Sequence, residues 1–228
     1  MAKQPSSGKC NLCGETFGKV AMTRHLAKCR LAHAPTGKSS KRILHLLVEG
    51  KYDPYYWMHI EMPADAKLDR LDDFLRRTWL ECCGHLSAFS IRGQRFSVDA
   101  GGGDVFFDME PEEDFSAKLG DVLSPGLKFE HEYDFGTTTH LALKVVAERH
   151  GATKSRSVEV LARNDPPDIR CEACGRPATQ VCSVCIYNDP AWYCDDCILE
   201  HKCGDEYALP VVNSPRVGMC GYTGRAYD

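Results

Sequence analysis

Four Cys-x-x-Cys pairs stand out in this chain of 228 residues: Cys10/Cys13, Cys171/Cys174, Cys182/Cys185 and Cys194/Cys197. Two thiolates at that spacing fit on one tight turn and present a knuckle to a tetrahedral cation. In the N-terminal segment the full spacing is Cys10-x2-Cys13-x11-His25-x3-Cys29. His25 and Cys29 lie four residues apart, so one helix face carries both. Four sulfur and nitrogen donors of this kind suit zinc, and a segment this short depends on the metal for much of its folding energy. Near the C-terminus the run is Cys171-x2-Cys174-x7-Cys182-x2-Cys185-x8-Cys194-x2-Cys197-x3-His201. Seven donors exceed one zinc and nearly fill two. Cys203 and Cys220 compete for the eighth position, and each precedes a glycine, as Cys13 and Cys174 do. The expected cofactor is therefore three zinc ions. Zinc closed by four protein ligands does no chemistry of its own, so such modules are expected to present surfaces to partners. Asp189-Pro190-Ala191-Trp192-Tyr193 offers one such loop, unless Trp192 packs against the metal core.

Metal is a better reading of the cysteines than disulfides. Of 13, three lie in residues 10–29, eight in 171–220, and only Cys82 and Cys83 fall between. A disulfide scaffold would not leave a large cysteine-poor middle. Catalytic signals are thin. Asp134-Phe135-Gly136 matches a kinase tripeptide, but no glycine-rich phosphate loop or His-Arg-Asp accompanies it. Gly101-Gly102-Gly103 lacks a following Gly-Lys-Ser/Thr, and the acidic run 104–114 lacks the ligand alternation of a calcium loop. His85, Asp134 and His140 are the candidates for an acid/base site, should their strands and turns converge. A non-enzymatic protein is the leading expectation.

The net charge of −4 hides an asymmetry. Residues 1–42 carry nine lysines and arginines and a single acid, Glu15, whereas the remainder is acidic. Any polyanion is therefore expected at the head, on Lys19, Arg24, Lys28, Arg30, Lys38, Lys41 and Arg42. A protein partner is the first expectation and nucleic acid on residues 1–42 the second. There is no apolar run of 18 residues, and Met1-Ala2-Lys3-Gln4-Pro5 begins no apolar leader. No membrane contact and a cytoplasmic location are expected.

The elements that position these residues read as α+β: a mainly antiparallel sheet with one principal amphipathic helix, flanked by small zinc-stabilised modules. Residues 42–48, 55–62, 85–91, 95–98, 128–133, 137–146 and 158–162 carry strand patterns. After Asp65, a helix cap, Leu68, Leu71, Leu75, Trp79 and Cys82 recur at helical spacing, with Asp69, Arg70, Asp72, Asp73, Arg76 and Arg77 on the polar side. Polar, proline-bearing stretches mark linkers at 34–41 and 163–170. The expected domains are thus 1–33, 42–162 and 171–228.

Three resemblances follow from these motifs. With Phe17 four residues after Cys13 and Met22 three before His25, the N-terminal segment resembles a C2H2-type zinc finger of the C2HC variety. Its loop is one residue short, and cysteine replaces the final histidine. The C-terminal run resembles B-box, MYND and RING-like cross-braced fingers, the B-box above all. That resemblance implies one zinc on Cys171, Cys174, Cys194 and Cys197 and another on Cys182, Cys185 and His201. In the middle, the string from Trp79 through Glu81-Cys82-Cys83-Gly84-His85 to Phe89, and the string from Phe129 to Gly136 followed by His140, resemble the Ri-plasmid ORF-three-like domain family. Thr137-Thr138-Thr139 replace that family's acidic residue and tryptophan. The family has no established activity; the resemblance implies a prokaryotic, cytosolic protein with attached zinc or DNA-binding modules.

Overall fold

The computed structural model describes residues 6–33, 41–97, 113–152, 158–187 and 190–224. The linker residues 34–40 with Lys38, the glycine triplet and nearly all of the acidic run lie outside them. The chain divides into two units, Met1–Phe74 with Leu86–Asp165, and Leu75–His85 with Pro166–Asp228.

The first unit is built on one large sheet. Its strands are β1 (Ser7–Cys10), β2 (Thr16–Gly18), β3 (Lys41–Gly50), β4 (Trp57–Pro63), β5 (Ser87–Ile91), β6 (Gln94–Ser97), β7 (Glu113–Asp114), β8 (Lys128–Tyr133), β9 (Thr139–Gly151) and β10 (Glu159–Asn164). They lie in the order β2-β1-β10-β4-β3-β9-β8-β5-β6-β7, all antiparallel except the β6/β7 pair. The α+β class with a mainly antiparallel sheet is thus the observed one. Helix α1 (Lys19–Ala32) follows β2, and the short α3 (Leu119–Val122) precedes β8.

Contrary to the expected boundary at residue 33, the finger is no separate module. Strand β1 pairs with β10 in register Gly8↔Asn164 to Cys10↔Ala162. One apolar cluster joins Cys10, Met22, Leu26 and Cys29 of the finger to Trp57, Leu161 and Ala162 of the sheet. Trp57 is fully buried there and donates its indole N–H to Ser6 Oγ at 2.8 Å. Burying an indole against the finger contributes on the order of 3 kcal/mol that an isolated finger would lack.

Polar groups buried under α1 fix its seat. Glu61 of β4 accepts from Arg30 of α1 at 2.9 Å and receives the guanidinium of Arg149 on both oxygens. Alongside, Thr23 donates to the Lys19 carbonyl, so its oxygen accepts from His59 Nε2 at 3.2 Å. His59 Nδ1 then accepts from His45 Nε2 at 2.9 Å. Both imidazoles are neutral in this relay. Burial, aided by Arg30 and Arg149, pushes His45 down to about 3; burial, aided by His45 and Lys19, does the same to His59. The unfolded chain binds protons between pH ~6.5 and that value, which the folded pair refuses. Stability is therefore intact above pH ~6.5 and lost as pH falls toward 3, at about 1.4 kcal/mol per pH unit for each histidine. Urea titrations from pH 7 to 4.5 should show that slope, and a His45→Leu/His59→Leu chain should lose it. Equal slopes in the two chains would contradict the relay.

The principal helix, α2 (Leu68–Leu75), buries Leu68, Leu71 and Leu75 as its spacing requires. Asp72, expected on the polar side, is instead buried and accepts from His131 Nε2 of β8 at 2.7 Å. It sits one residue past Leu71, at the margin of the apolar stripe, where a partnered carboxylate is tolerated. The helix then widens into a π-turn, Arg76–Leu80, which buries both Trp79 and Leu80. Glu81 is extended, so Cys82 lies beyond the helix rather than on its face. Residues 75–85, read as part of the middle domain, belong to the second unit.

That unit has a three-stranded sheet, β12 (Trp192–Tyr193), β11 (Gln180–Cys182) and β13 (Ala208–Pro210), in that order. Helix α4 (Asp195–Ile198) follows β12. Residues 211–224 carry no strand or helix.

Candidate metal centres

The N-terminal donors converge. Cys10 Sγ lies 3.9 Å from Cys29 Sγ and Cys13 Sγ 3.3 Å from His25 Nε2, with all four donor atoms within 4.8 Å of one another. Tetrahedral zinc with Zn–S bonds of ~2.3 Å sets its sulfurs ~3.8 Å apart, so the group fits that ion. The knuckle is local. Gly14 N–H donates to the Cys10 carbonyl and Cys10 N–H to the Glu15 carbonyl, each at 2.8 Å. Cys171-x2-Cys174-Gly175-Arg176 repeats it, with Gly175 N–H to Cys171 and Cys171 N–H to Arg176 at 2.8 and 2.7 Å. Gly14 and Gly175 have φ of +83° and +74°, the left-handed region that makes glycine the residue of choice after the second cysteine.

The C-terminal run forms two groups that alternate along the chain. Cys171, Cys174, Cys194 and Cys197 make one; Cys182, Cys185, His201 and Cys203 make the other. In the first, Cys174 Sγ is 3.6 Å from Cys194 Sγ; in the second, Cys185 Sγ is 3.6 Å from Cys203 Sγ and 3.4 Å from His201 Nε2. Cys203 therefore takes the contested eighth position. The Tyr193 ring backs His201 at 4.6 Å, so that aromatic of the loop serves the metal core, and Trp192 is half-buried. Arg176 donates to the sulfurs of both Cys174 and Cys194, offsetting the charge of a four-thiolate site.

Cys220 belongs elsewhere, in a group that spacing did not reveal. With Cys82, Cys83 and His85 it forms a fourth set of donors within 4.8 Å of one another. Together the four groups take up all thirteen cysteines. None is in a disulfide. Even the adjacent Cys82 and Cys83 sulfurs are 3.4 Å apart, far beyond the ~2.05 Å of an S–S bond.

The electrostatics of each group call for a cation. One thiol in every group is pushed up to about 12: Cys29 and Cys185 chiefly by burial, Cys83 by its bond to Cys82, and Cys197 by its bond to Cys194. Crowded thiols cannot all ionise without a positive charge among them, and a divalent ion supplies it while displacing their protons. Cys174 goes the other way, drawn down to about 6 by the Arg176 guanidinium. Cys171 also lies below its ordinary value: burial opposes this, but backbone N–H groups of Cys194, Cys174 and Ala173 outweigh it. All four groups thus have the donors and the spacing to hold a metal ion.

The three acid/base candidates each have local partners of their own. His85 sits with Cys83 and Cys220, at 2.9 and 3.3 Å from their sulfurs. Asp134 is buried with φ of +65°, and its carboxylate accepts from the Gly136 and Thr137 N–H groups, which makes it a turn former. His140 Nδ1 lies 3.4 Å from a Glu132 carboxylate oxygen, and its ring meets the edge of Tyr52. A cleft of about 490 Å³ opens on the large sheet, lined by residues including Glu49, Arg92, Lys128, Glu130 and Lys144. Its acids are paired, Glu49 with Lys19 and Glu130 with Lys51.

Four of the seven described lysines and arginines of the basic head are paired with acids. Lys19 pairs with Glu49, Arg30 with Glu61, Lys41 with Asp65 and Arg42 with Glu148. Lys9 on β1 and Arg24 and Lys28 on α1 are exposed and make no ion pair among the described residues.

No helix among the described residues is long and apolar enough to cross a membrane. No family model matches the chain, and no curated protein does. The Ri-plasmid-family likeness and the B-box likeness thus have no match behind them. Among solved structures, a crystal structure of MM3350, a protein of unknown function from Methanosarcina mazei Go1, is similar at 17% identity and a TM-score of 0.46, over 54% of this chain and 70% of that one. By its own geometry, the chain is an α+β protein with four Cys/His groups that suit a metal ion.

Proposed function

We propose that the chain is a zinc-binding, non-enzymatic adaptor of a reducing, cytoplasmic compartment, in which metal sites stiffen surfaces that dock another protein. Zinc is the ion that suits sets of four thiolates, or of three thiolates and one imidazole, and four protein donors leave no coordination position for water or substrate. Thirteen unbridged thiols match a compartment that keeps cysteine reduced.

The observation that carries the docking reading is where apolar side chains are exposed. Val184, Tyr187, Leu199 and Tyr207 are 53%, 58%, 66% and 45% exposed, and all sit on the segments that supply Cys182, Cys185, His201 and Cys203. Ser183 N–H donates to the Tyr207 carbonyl at 3.0 Å, which places the backbones of the two segments side by side. Large exposed apolar and tyrosine side chains on a rigid support are the usual content of a protein interface. The paired Lys19, Arg30, Lys41 and Arg42 argue against nucleic acid as the main partner.

The test uses the full chain, zinc-loaded, with cross-linking in its source cells. A Val184→Glu/Tyr207→Glu chain should keep its zinc and fold yet recover its protein partner at least ~10-fold less well, the loss expected from a central interface contact. Unchanged recovery contradicts the reading. Duplex DNA titrated against the same protein should bind weakly at most. Three phosphate contacts, from Lys9, Arg24 and Lys28, give a log–log salt slope of about −2.7. A slope of about −4 or steeper with tight binding would favour nucleic acid instead.

A further inference from the structure

We propose that Cys82, Cys83, His85 and Cys220 form a fourth zinc site, one that staples the irregular C-terminal segment 211–224 to the end of the π-turn. The site goes beyond the adaptor reading, which needs only the three groups with knuckle or helical spacing.

The four donor atoms are gathered closely enough to share one ion, all within 4.8 Å of one another. Cys83 Sγ lies 3.8 Å from Cys220 Sγ, close to the ~3.8 Å that zinc imposes on two thiolates. His85 presents Nε2 to both sulfurs. On binding, the three thiols each give up a proton and the imidazole coordinates as the neutral ring, so a Zn²⁺ complex carries one net negative charge. A counter-charge is in place. Arg216 is fully buried and donates to Cys82 Sγ at 3.4 Å, the same service that Arg176 performs for Cys174 and Cys194.

The backbone is shaped around these donors. Glu81 Oε1 accepts from Gly84 N–H at 2.6 Å, and Gly84, at φ of +76°, turns the chain so that His85 faces back toward Cys83. Cys220 itself has φ of +45°. A non-glycine residue in that conformation costs roughly 1–2 kcal/mol, and it persists where the surroundings over-determine it.

A metal tie would add to what holds the irregular segment that bears Cys220. Fixing an irregular stretch costs roughly 1–2 kcal/mol of backbone entropy per residue. Its other anchors include Val211 N–H, which donates to the Thr179 carbonyl at 2.9 Å, Ser214 Oγ, which donates to the Trp79 carbonyl at 2.6 Å, and the buried Arg216, Val217 and Tyr222. Gly218 lies so close to Ile186 that a Cβ would fall 2.3 Å from Ile186 Cδ1, so the segment is seated beside the Cys182/Cys185 turn. Metal closure between His85 and Cys220 spans 135 residues, a long loop whose closure removes much freedom from the unfolded chain. Two of its four ligands, Cys83 and Cys220, are exposed, against one, one and none in the other groups. A chelator reaches this site first.

The experiment is native mass spectrometry of the full chain reconstituted with zinc, and with cobalt for thiolate charge-transfer spectra. Wild type should hold four ions, and Cys220→Ser and Cys83→Ser should each hold three. In wild type one ion should leave to a chelator at least ~10-fold faster than the rest, and proteolysis should then cut within 211–224. That fast phase should be missing from both variants. The two substitutions lie on different segments, so a folding failure of one leaves the other to decide. A wild type with three ions, unchanged by either substitution, overturns the fourth site and leaves the adaptor reading standing.

Discussion

Cys10→Ser should cost the protein more than one zinc ion: it should unravel an edge of the large sheet. Structural zinc contributes ~10–16 kcal/mol of apparent folding energy in small modules, comparable to or larger than the whole ~5–15 kcal/mol stability of a domain. An isolated finger would lose that without consequence elsewhere. Here Cys10 is the residue of β1 that faces Ala162 on β10, and Cys10 and Cys29 share their apolar cluster with Trp57 and Leu161. Opening the group withdraws Met22 and Leu26 from Trp57 and leaves β10 as a bare edge. Trp57 fluorescence should shift to the red, and the melting midpoint should fall by ~10 °C or more, given about 2–4 °C per kcal/mol for a chain of this size. A melt unchanged apart from the loss of one zinc would show the finger to be independent after all.

Glu61→Ala should destabilise the first unit by about 3–5 kcal/mol. Its carboxylate is the shared partner of Arg30 and Arg149, whose side chains are 8% and 9% exposed. Removing it leaves two guanidinium groups in low dielectric without the anion both were placed against. Removing all three charges together should have the opposite effect. A chain with Arg30→Met, Glu61→Leu and Arg149→Met exchanges the whole network for apolar volume and should recover most of the loss. Urea midpoints of the two chains, compared with wild type, measure both effects. A Glu61→Ala chain within about 1 kcal/mol of wild type would mean that water, rather than the network, solvates these arginines.

The ligands legible in the sequence are those whose neighbours are local. Cys10/Cys13 and Cys171/Cys174 lie on turns whose hydrogen bonds stay within six residues, and His25/Cys29 on one helix face. The fourth group obeys no spacing rule, because two of its donors are adjacent and one comes from 135 residues away. The signal available was arithmetic: three zinc sites leave over Cys82, Cys83 and one of Cys203 and Cys220, with His85 close by. Cys82 misled because it continues the period of Leu68, Leu71, Leu75 and Trp79, although the widening at Arg76–Leu80 and the extended Glu81 take it off the helix. The finger's union with the sheet was hidden for a different reason. A four-residue strand pairing with one that begins 152 positions further on has no local signature, and the polar stretch at 34–41 looked like a domain boundary. Charge was legible only as a sum. That Lys19, Arg30, Lys41 and Arg42 meet acids of the sheet is a matter of tertiary placement.

The most direct test of the account is the state of the thirteen cysteines. Native mass spectrometry of the purified full chain, before and after brief exposure to a thiol-alkylating reagent, counts bound ions and open thiols in one experiment. The account predicts zinc on every group, four ions in all, with alkylation blocked until a chelator is added. A folded, metal-free chain whose thiols alkylate freely, or one whose cysteines are joined in disulfides, would contradict it.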